Sequence, residues 1–199
     1  MRLMAANDRL IWIDTETTGL EPAEGLILEI GIVVTDLDLR YQDSFHRVLW
    51  SSPGYDKYVT EATLGELVWT MHTSSGLITE AVEGGVDPTS VQEDLSEWLN
   101  DLMVDRTEPM CGSSIQFDRN WLEYHMTDIA DLFSYRNIDI STIKELCRRY
   151  NPVIYGRLDE VTQPQKLHRV IPDIDDTINE FRFYRDNFLF DAVSGEWAE

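Results

Sequence analysis

Residues 9–16 read Arg9-Leu10-Ile11-Trp12-Ile13-Asp14-Thr15-Glu16. Four apolar residues in a row, two of them isoleucine, predict a strand buried on both faces. Two carboxylates then follow, two positions apart. Side chains alternate along a strand, so Asp14 and Glu16 project from one face of its end. Like charges placed side by side repel unless something cationic sits between them. A divalent cation is the simplest partner, since Mg²⁺ and Mn²⁺ favour carboxylate oxygen. A solvated strand end is the competing explanation, and this pair alone does not exclude it.

Working outward, Thr17–Pro22 (TTGLEP) predicts a turn in which Gly19 lets backbone amides approach a ligand and Leu20 stands near it. Ile27–Asp36 predicts a second buried strand. Tyr41–Trp50 completes a three-stranded meander. Turn residues occupy 51–65, and 66–80 predict a short helix with the segment HTSSGL at 72–77. Val91, Leu95, Trp98, Leu99 and Leu102 recur at helical spacing, giving an amphipathic helix over 90–103. A short strand at 110–114 ends in small residues, and Asp118 opens a helix that runs to Met126. By itself Asp118 reads first as a helix N-cap.

Ile138–Ile140 predicts another strand, and Thr142 with Glu145 fits a capping box for a helix ending at Tyr150. Residues 151–167 read as a loop. Pro172 suits the first turn of a last helix whose stripe is Ile174, Ile178, Phe181 and Phe188, and 190–199 read as a loose tail. Three strands followed by alternating helices and strands predict an α/β domain with a mixed sheet covered by helices. No internal boundary interrupts 1–199, with a core over about 9–188.

The bulk numbers narrow the function. The 199 residues carry a net charge of −21. Residues 1–134 hold 7 basic and 25 acidic side chains, whereas 135–185 hold 9 basic and 8 acidic. A protein that tracks long nucleic acid draws affinity from displaced phosphate counterions and needs a basic stripe. This chain has none, so any nucleic acid it binds is short and bound locally. Cys111 and Cys147 have neither disulfide nor metal-ligand spacing and read as free thiols in a reducing compartment. No apolar run reaches the roughly 20 residues of a membrane span, and the first nine residues are too short and polar for a signal peptide. The expected location is the cytoplasm.

His168 and Asp173 lie five apart before the last helix, a spacing that says little alone. In order along the chain, however, Asp14-x-Glu16, Asp118 and His168-x4-Asp173 resemble the DEDD exonucleases of the histidine subclass. Within them, LIWIDTETTGLEP, HTSSGL, CGSSIQFDRNWL, FSYRNIDISTIKELCRRYNP and HRVIPDIDDTINEFRFYRDNF resemble the oligoribonuclease family and span about 9–188. The resemblance implies a ribonuclease H-like fold and a 3′-to-5′ exoribonuclease of short RNA that releases nucleoside 5′-monophosphates, acting as a homodimer.

Residue by residue, it implies that Asp14, Glu16, Asp118 and Asp173 hold two Mg²⁺ or Mn²⁺ ions. Such a pair clamps the attacking and leaving oxygens of an in-line displacement. His168 is the implied general base, a task suited to an imidazole. Thr17, Gly19 and Leu20 are implied at the terminal nucleotides, and His72 and Ser114 near a phosphate. Tyr135 and Arg136 are implied to reach the substrate from a partner subunit, Arg136 through a bidentate phosphate contact.

The sequence departs from the family at Leu67, where a tryptophan is usual and Trp69 stands two residues later. It departs also at Val170 and Pro172, which replace an alanine and an acidic residue, and in a longer 151–168 segment. The alternatives are an exonuclease of DNA or longer RNA, a non-catalytic nucleic-acid-binding protein and a structural metal site. The intact five-residue set argues against the non-catalytic reading.

Overall fold

The central strand of the computed structural model is the one the sequence marks. The structure describes residues 8–51, 54–158 and 167–189. β1 (Arg9–Thr17) pairs antiparallel with β2 (Ile27–Asp36) and parallel with β4 (Met110–Gly112); β3 (Tyr41–Val48) lies outside β2, and β5 (Asn137–Asp139) lies parallel outside β4. The order is β3-β2-β1-β4-β5, a mixed five-stranded sheet. Burial on both faces of β1 and β2 follows from helices packed on each side.

The two faces have separate cores. Ile11, Ile13, Ile30 and Ile32 enter the larger one, beneath α1 (Glu61–Ser74), α2 (Leu77–Gly84), α3 (Pro88–Asp101), α4 (Gln116–His125) and α5 (Thr127–Ala130). Trp12 and Val33 enter the smaller one, beneath α6 (Ile140–Tyr150), α7 (Pro152–Tyr155) and α8 (Val170–Tyr184). Trp12 meets Phe181 of α8 with ring centroids 5.6 Å apart. Cys111 and Cys147 are buried free thiols in that second core. Strands β1, β4 and β5 are parallel, so their carboxyl ends open on one edge, where ligands of open α/β sheets bind.

Several boundaries differ from the sequence expectation, each for a local reason. Two helices occupy the region expected to hold one over 66–80. The first begins at Glu61 because Thr60 and Thr63 cap each other reciprocally; it kinks at Gly65 (φ 74°), and Gly76 (φ 77°) separates it from α2. The capping box expected at Thr142 and Glu145 is absent. Helix α6 starts at Ile140, directly off β5, and Asp139 is its cap, accepting from the Ser141 amide at 2.9 Å. Helix α4 begins at Gln116, two residues before Asp118, leaving Asp118 inside the first turn.

The expected 151–167 loop opens as α7, with Pro152 in its first turn and the Asn151 side chain accepting from Ile154. Helix α8 begins at Val170, and Pro172 falls in its first turn, where no backbone donor is needed. Ile174 and Ile178 are buried, and Phe181 and Phe188 are partly buried beside them. The tail expected at 190–199 lies outside the described residues.

A buried ion pair ties β1 to the segment before β4. Arg9 Nε donates to Glu108 Oε1 at 3.1 Å, its Nη2 also reaches that oxygen, and both side chains are almost fully buried. Arg9→Met strands that carboxylate and is expected to cost about 3–5 kcal/mol. Arg9→Met with Glu108→Leu is expected to recover most of the loss. Urea unfolding of the two variants measures the difference.

Candidate active site

Trp12, Asp14 and Glu16 point to the face of the sheet that α8 covers, as strand alternation requires. Helix α8 and the segment leading into it bring Asp173 and His168 to that strand end. Glu16, His168 and Asp173 each offer a ligand atom, and these atoms all lie within 4.8 Å of one another. Glu16 and Asp173 are buried, and His168 and Asp14 are half-buried. His168 holds a positive φ of 51° immediately before the helix.

Asp118 approaches β1 from the opposite face. Its Oδ1 accepts from the Thr15 amide at 2.8 Å and the Thr15 hydroxyl at 2.7 Å, and Thr15 is the residue between Asp14 and Glu16. Burial pushes the Asp118 carboxyl up to about 7, against the downward pull of the Thr15 bonds. A nearby cation would favour its charged form. The structure thus draws Glu16, His168 and Asp173 into one tight group. Asp14 and Asp118 flank the same strand end outside that 4.8 Å grouping. The carboxylates of Asp14, Glu16, Asp118 and Asp173 at this strand end offer the oxygen donors that Mg²⁺ and Mn²⁺ favour, so the residues present fit such an ion.

The flanking residues sort by exposure. Leu20 is 79 % exposed at the turn after β1, where the Thr17 hydroxyl donates to the Gly19 carbonyl at 2.8 Å. The fold does not require glycine at 19: its φ lies outside the left-handed region, and a Cβ there would meet no atom within 4 Å. His72 is fully buried. Its Nε2 donates to the Thr17 carbonyl at 2.9 Å, and its Nδ1 lies 3.8 Å from Glu16 Oε2. Burial pushes its pKa down, which favours the neutral ring behind this strand end.

Ser114, with φ 56°, takes its amide to Asp139 Oδ1 at 2.9 Å and its hydroxyl within 3.0 Å of Ser141. Tyr135 is 80 % exposed, with the Arg136 guanidinium 5.0 Å from its ring centroid. Leu67 stands 82 % exposed, while Trp69 is partly buried against the larger core. The shifted tryptophan is therefore a packing residue.

Three contributors escaped the sequence reading. Arg119 donates to the Ser134 and Arg136 carbonyls and to Asn137, holding the 134–137 turn beneath Tyr135. Buried Glu29 and half-buried Arg169 form an ion pair beside His168. An arginine directly after Asp118 and another directly after His168 were the available signals, but arginine is common enough on surfaces that neither stood out.

The family described as exonuclease (RNase_T) matches residues 11–181. The oligoribonuclease of Aeromonas hydrophila subsp. hydrophila is 36 % identical over 179 residues, covering 88 % of this chain and 93 % of the relative. That of Azoarcus sp. (strain BH72) is 36 % identical over 185 residues, covering 92 % and 96 %. The chain belongs to the oligoribonuclease family of exonucleases.

Solved structures place this oligoribonuclease-family chain in the exonuclease fold. Exonuclease I of Methylocaldum szegediense superposes with a TM-score of 0.66 at 18 % identity, over 90 % of this chain and 41 % of that one. Cell-death related nuclease 4 gives 0.62 at 14 % identity, over 90 % and 64 %. The zinc-bound E. coli exonuclease I complex with single-stranded DNA gives 0.65 at 14 % identity, over 91 % and 41 %. The chain spans about two fifths of the length of the two exonuclease I proteins. These likenesses speak for the ribonuclease H-like fold. Like its relatives, the chain is a nuclease, and among its described residues no helix is long and apolar enough to cross a membrane.

Proposed function

We propose that this chain is a 3′-to-5′ exoribonuclease that hydrolyses short oligoribonucleotides, including dinucleotides, to nucleoside 5′-monophosphates. In this reading it works as a single exonuclease domain over 1–199, as a homodimer, in the cytoplasm. The Glu16–His168–Asp173 group carries the proposal, in a chain that covers nearly the full length of its oligoribonuclease relatives.

Asp14, Glu16, Asp118 and Asp173 are the residues assigned to hold two divalent cations, Mg²⁺ or Mn²⁺. Such ions, when bound, activate water and offset the charge on the leaving 3′ oxygen. His168 takes the proton from the attacking water at a ring nitrogen. Leu20 offers an exposed apolar side chain to the terminal base, and Thr17 and Gly19 line the turn beneath it. His72 holds the strand end through the Thr17 carbonyl. The Ser114 hydroxyl is assigned to donate to a phosphate oxygen of the substrate. In a homodimer, Tyr135 and Arg136 of one protomer would complete the site of the other. The net charge of −21 supports a short substrate, because it leaves no extended basic path.

A time course with labelled RNA of two, five and twenty nucleotides, matched DNA, and Mg²⁺, Mn²⁺ or EDTA tests this. Fast metal-dependent loss of the dinucleotide with slow loss of the 20-mer is the expected result. Equal or better trimming of long RNA or DNA would move the chain to the general exonucleases. No cleavage would leave a binding role.

Arg136→Ala is expected to weaken dinucleotide binding by about tenfold or more, the worth of a charge-assisted contact, with less effect on longer oligomers. A single short substrate has few other contacts to share the loss. Equilibrium binding across a length series measures this, and an equal loss at every length would sink the terminal-phosphate role.

A further inference from the structure

Beside His168, four charged or titratable groups meet that the hydrolytic set does not use. Glu29 of β2 is the antiparallel partner of Glu16 on β1, so the two side chains share a sheet face. The Glu29 side chain is 1 % exposed. Arg169 Nε donates to both its oxygens at 3.0 Å, and Arg169 Nη2 donates to Oε1 at 2.8 Å. His46 Nε2 donates to Oε1 at 2.7 Å, and the Val170 amide reaches Oε2 at 3.4 Å. Arg169 Nη2 also donates to Glu80 Oε2 on α2 at 2.7 Å. Burial raises the Glu29 carboxyl, but His46 and Arg169 outweigh it and hold the group below the usual carboxylate range.

This cluster grips the chain at one place. Arg169 is the cap residue of α8, in extended backbone, and its neighbour His168 has φ 51°. A side chain in the left-handed region persists only where its surroundings hold it there. The guanidinium fork fixes direction as well as distance, because two parallel donors meet two carboxylate oxygens.

We propose that Arg169 is a positioning residue for hydrolysis: its forked pair with Glu29 fixes the backbone at His168 and the first turn of α8, so that the imidazole and the Asp173 carboxylate meet Glu16. The proposal rests on the reading of His168 as general base. It assigns to Glu29 a task distinct from that of its cross-strand neighbour: Glu16 faces the cation site, and Glu29 anchors the element that brings His168 to it. Lysine at 169 keeps the charge but loses the fork, and so separates geometry from charge.

The test uses the full chain with Arg169→Lys, Arg169→Gln and Glu29→Gln. Thermal unfolding, dinucleotide kinetics and the His168 ring resonances in long-range ¹H–¹⁵N spectra are measured for each. Arg169→Lys is expected to unfold near the wild-type temperature and to lose about tenfold or more in kcat, the scale of a small misplacement. Its KM is expected to stay within about threefold, because ground-state binding is untouched. The His168 resonances are expected to move.

Where Arg169→Gln fails to fold, Arg169→Lys decides. A kcat within about twofold of wild type in Arg169→Lys overturns the proposal whether or not the resonances move, as does a loss that lies wholly in KM. Should the wild-type chain hydrolyse no substrate, the proposed function fails. The ring resonances then decide the positioning role, which unmoved resonances in Arg169→Lys would overturn.

Discussion

His168→Asn is expected to lower kcat by about 10²–10⁴, the range supplied by a general base, while leaving the fold and Mn²⁺ affinity close to wild type. The imidazole lies within 4.8 Å of Glu16 and Asp173 donor atoms, beside the proposed cation site. Asparagine is the appropriate replacement because residue 168 has φ 51°, a region that asparagine enters more readily than alanine. His168→Ala is expected to lose the same activity, with an added folding cost of about 1 kcal/mol from the backbone.

Asp173→Asn and Glu16→Gln provide the contrast, since each removes a charge that would hold the ion. They are expected to abolish turnover and to weaken Mn²⁺ binding as well. Single-turnover rates with calorimetric Mn²⁺ titrations separate the two patterns. Near-normal turnover in His168→Asn would take the imidazole out of the mechanism. Lost Mn²⁺ binding in that variant would make His168 a ligand first.

Gly31→Ala is expected to lower activity by about 100-fold and stability by about 1–3 kcal/mol, although residue 31 carries no functional group. A Cβ at that position would lie 2.6 Å from Val170 Cγ2, 2.8 Å from Val170 Cβ and 3.3 Å from Ile171 Cδ1. Those atoms belong to the first turn of α8, and Gly31 is the cross-strand partner of Asp14. The methyl group therefore pushes apart the strand pair carrying Asp14 and Glu16 and the helix carrying Asp173. Close-packed interiors cannot absorb such a contact without moving an element.

Gly31→Ala combined with Val170→Ala removes the Cγ2 clash but keeps the 2.8 Å contact with Val170 Cβ. The double variant is expected to recover part of both losses. Urea midpoints and kcat measured together check this. Wild-type values for Gly31→Ala in both would show that the seat of α8 lies elsewhere.

The departure of Val170 from the family's alanine acquires a physical meaning from this contact. The larger side chain fits because the strand beneath it presents glycine. Sequence periodicity could not connect positions 31 and 170, which lie far apart in the chain and touch only through the fold. The same reason hid Glu29 and Arg169. In a buried run such as Ile27–Asp36, one glutamate looks like a cost to the strand until its guanidinium partner is known. The capping box at Thr142 failed for a different reason: β5 ends at Asp139, whose carboxylate reaches the first free amides before Thr142 can.

What the sequence determined by itself is what depends on local period and order. The apolar run at 10–13 set the central strand, alternation put Asp14 and Glu16 on one face, and the order of four carboxylates and one histidine pointed to the family. What only the tertiary structure decided is how groups distant in sequence meet. It joined His168 and Asp173 to Glu16, turned Asp118 onto Thr15 and buried His72 behind the strand end. It also packed Trp69, partly buried, against the larger core while leaving Leu67 exposed. Strand and helix periods are properties of a few neighbouring residues. Contacts between α8 and β2 depend on how whole elements pack, and that packing is set by side-chain volumes and buried charges summed over both cores.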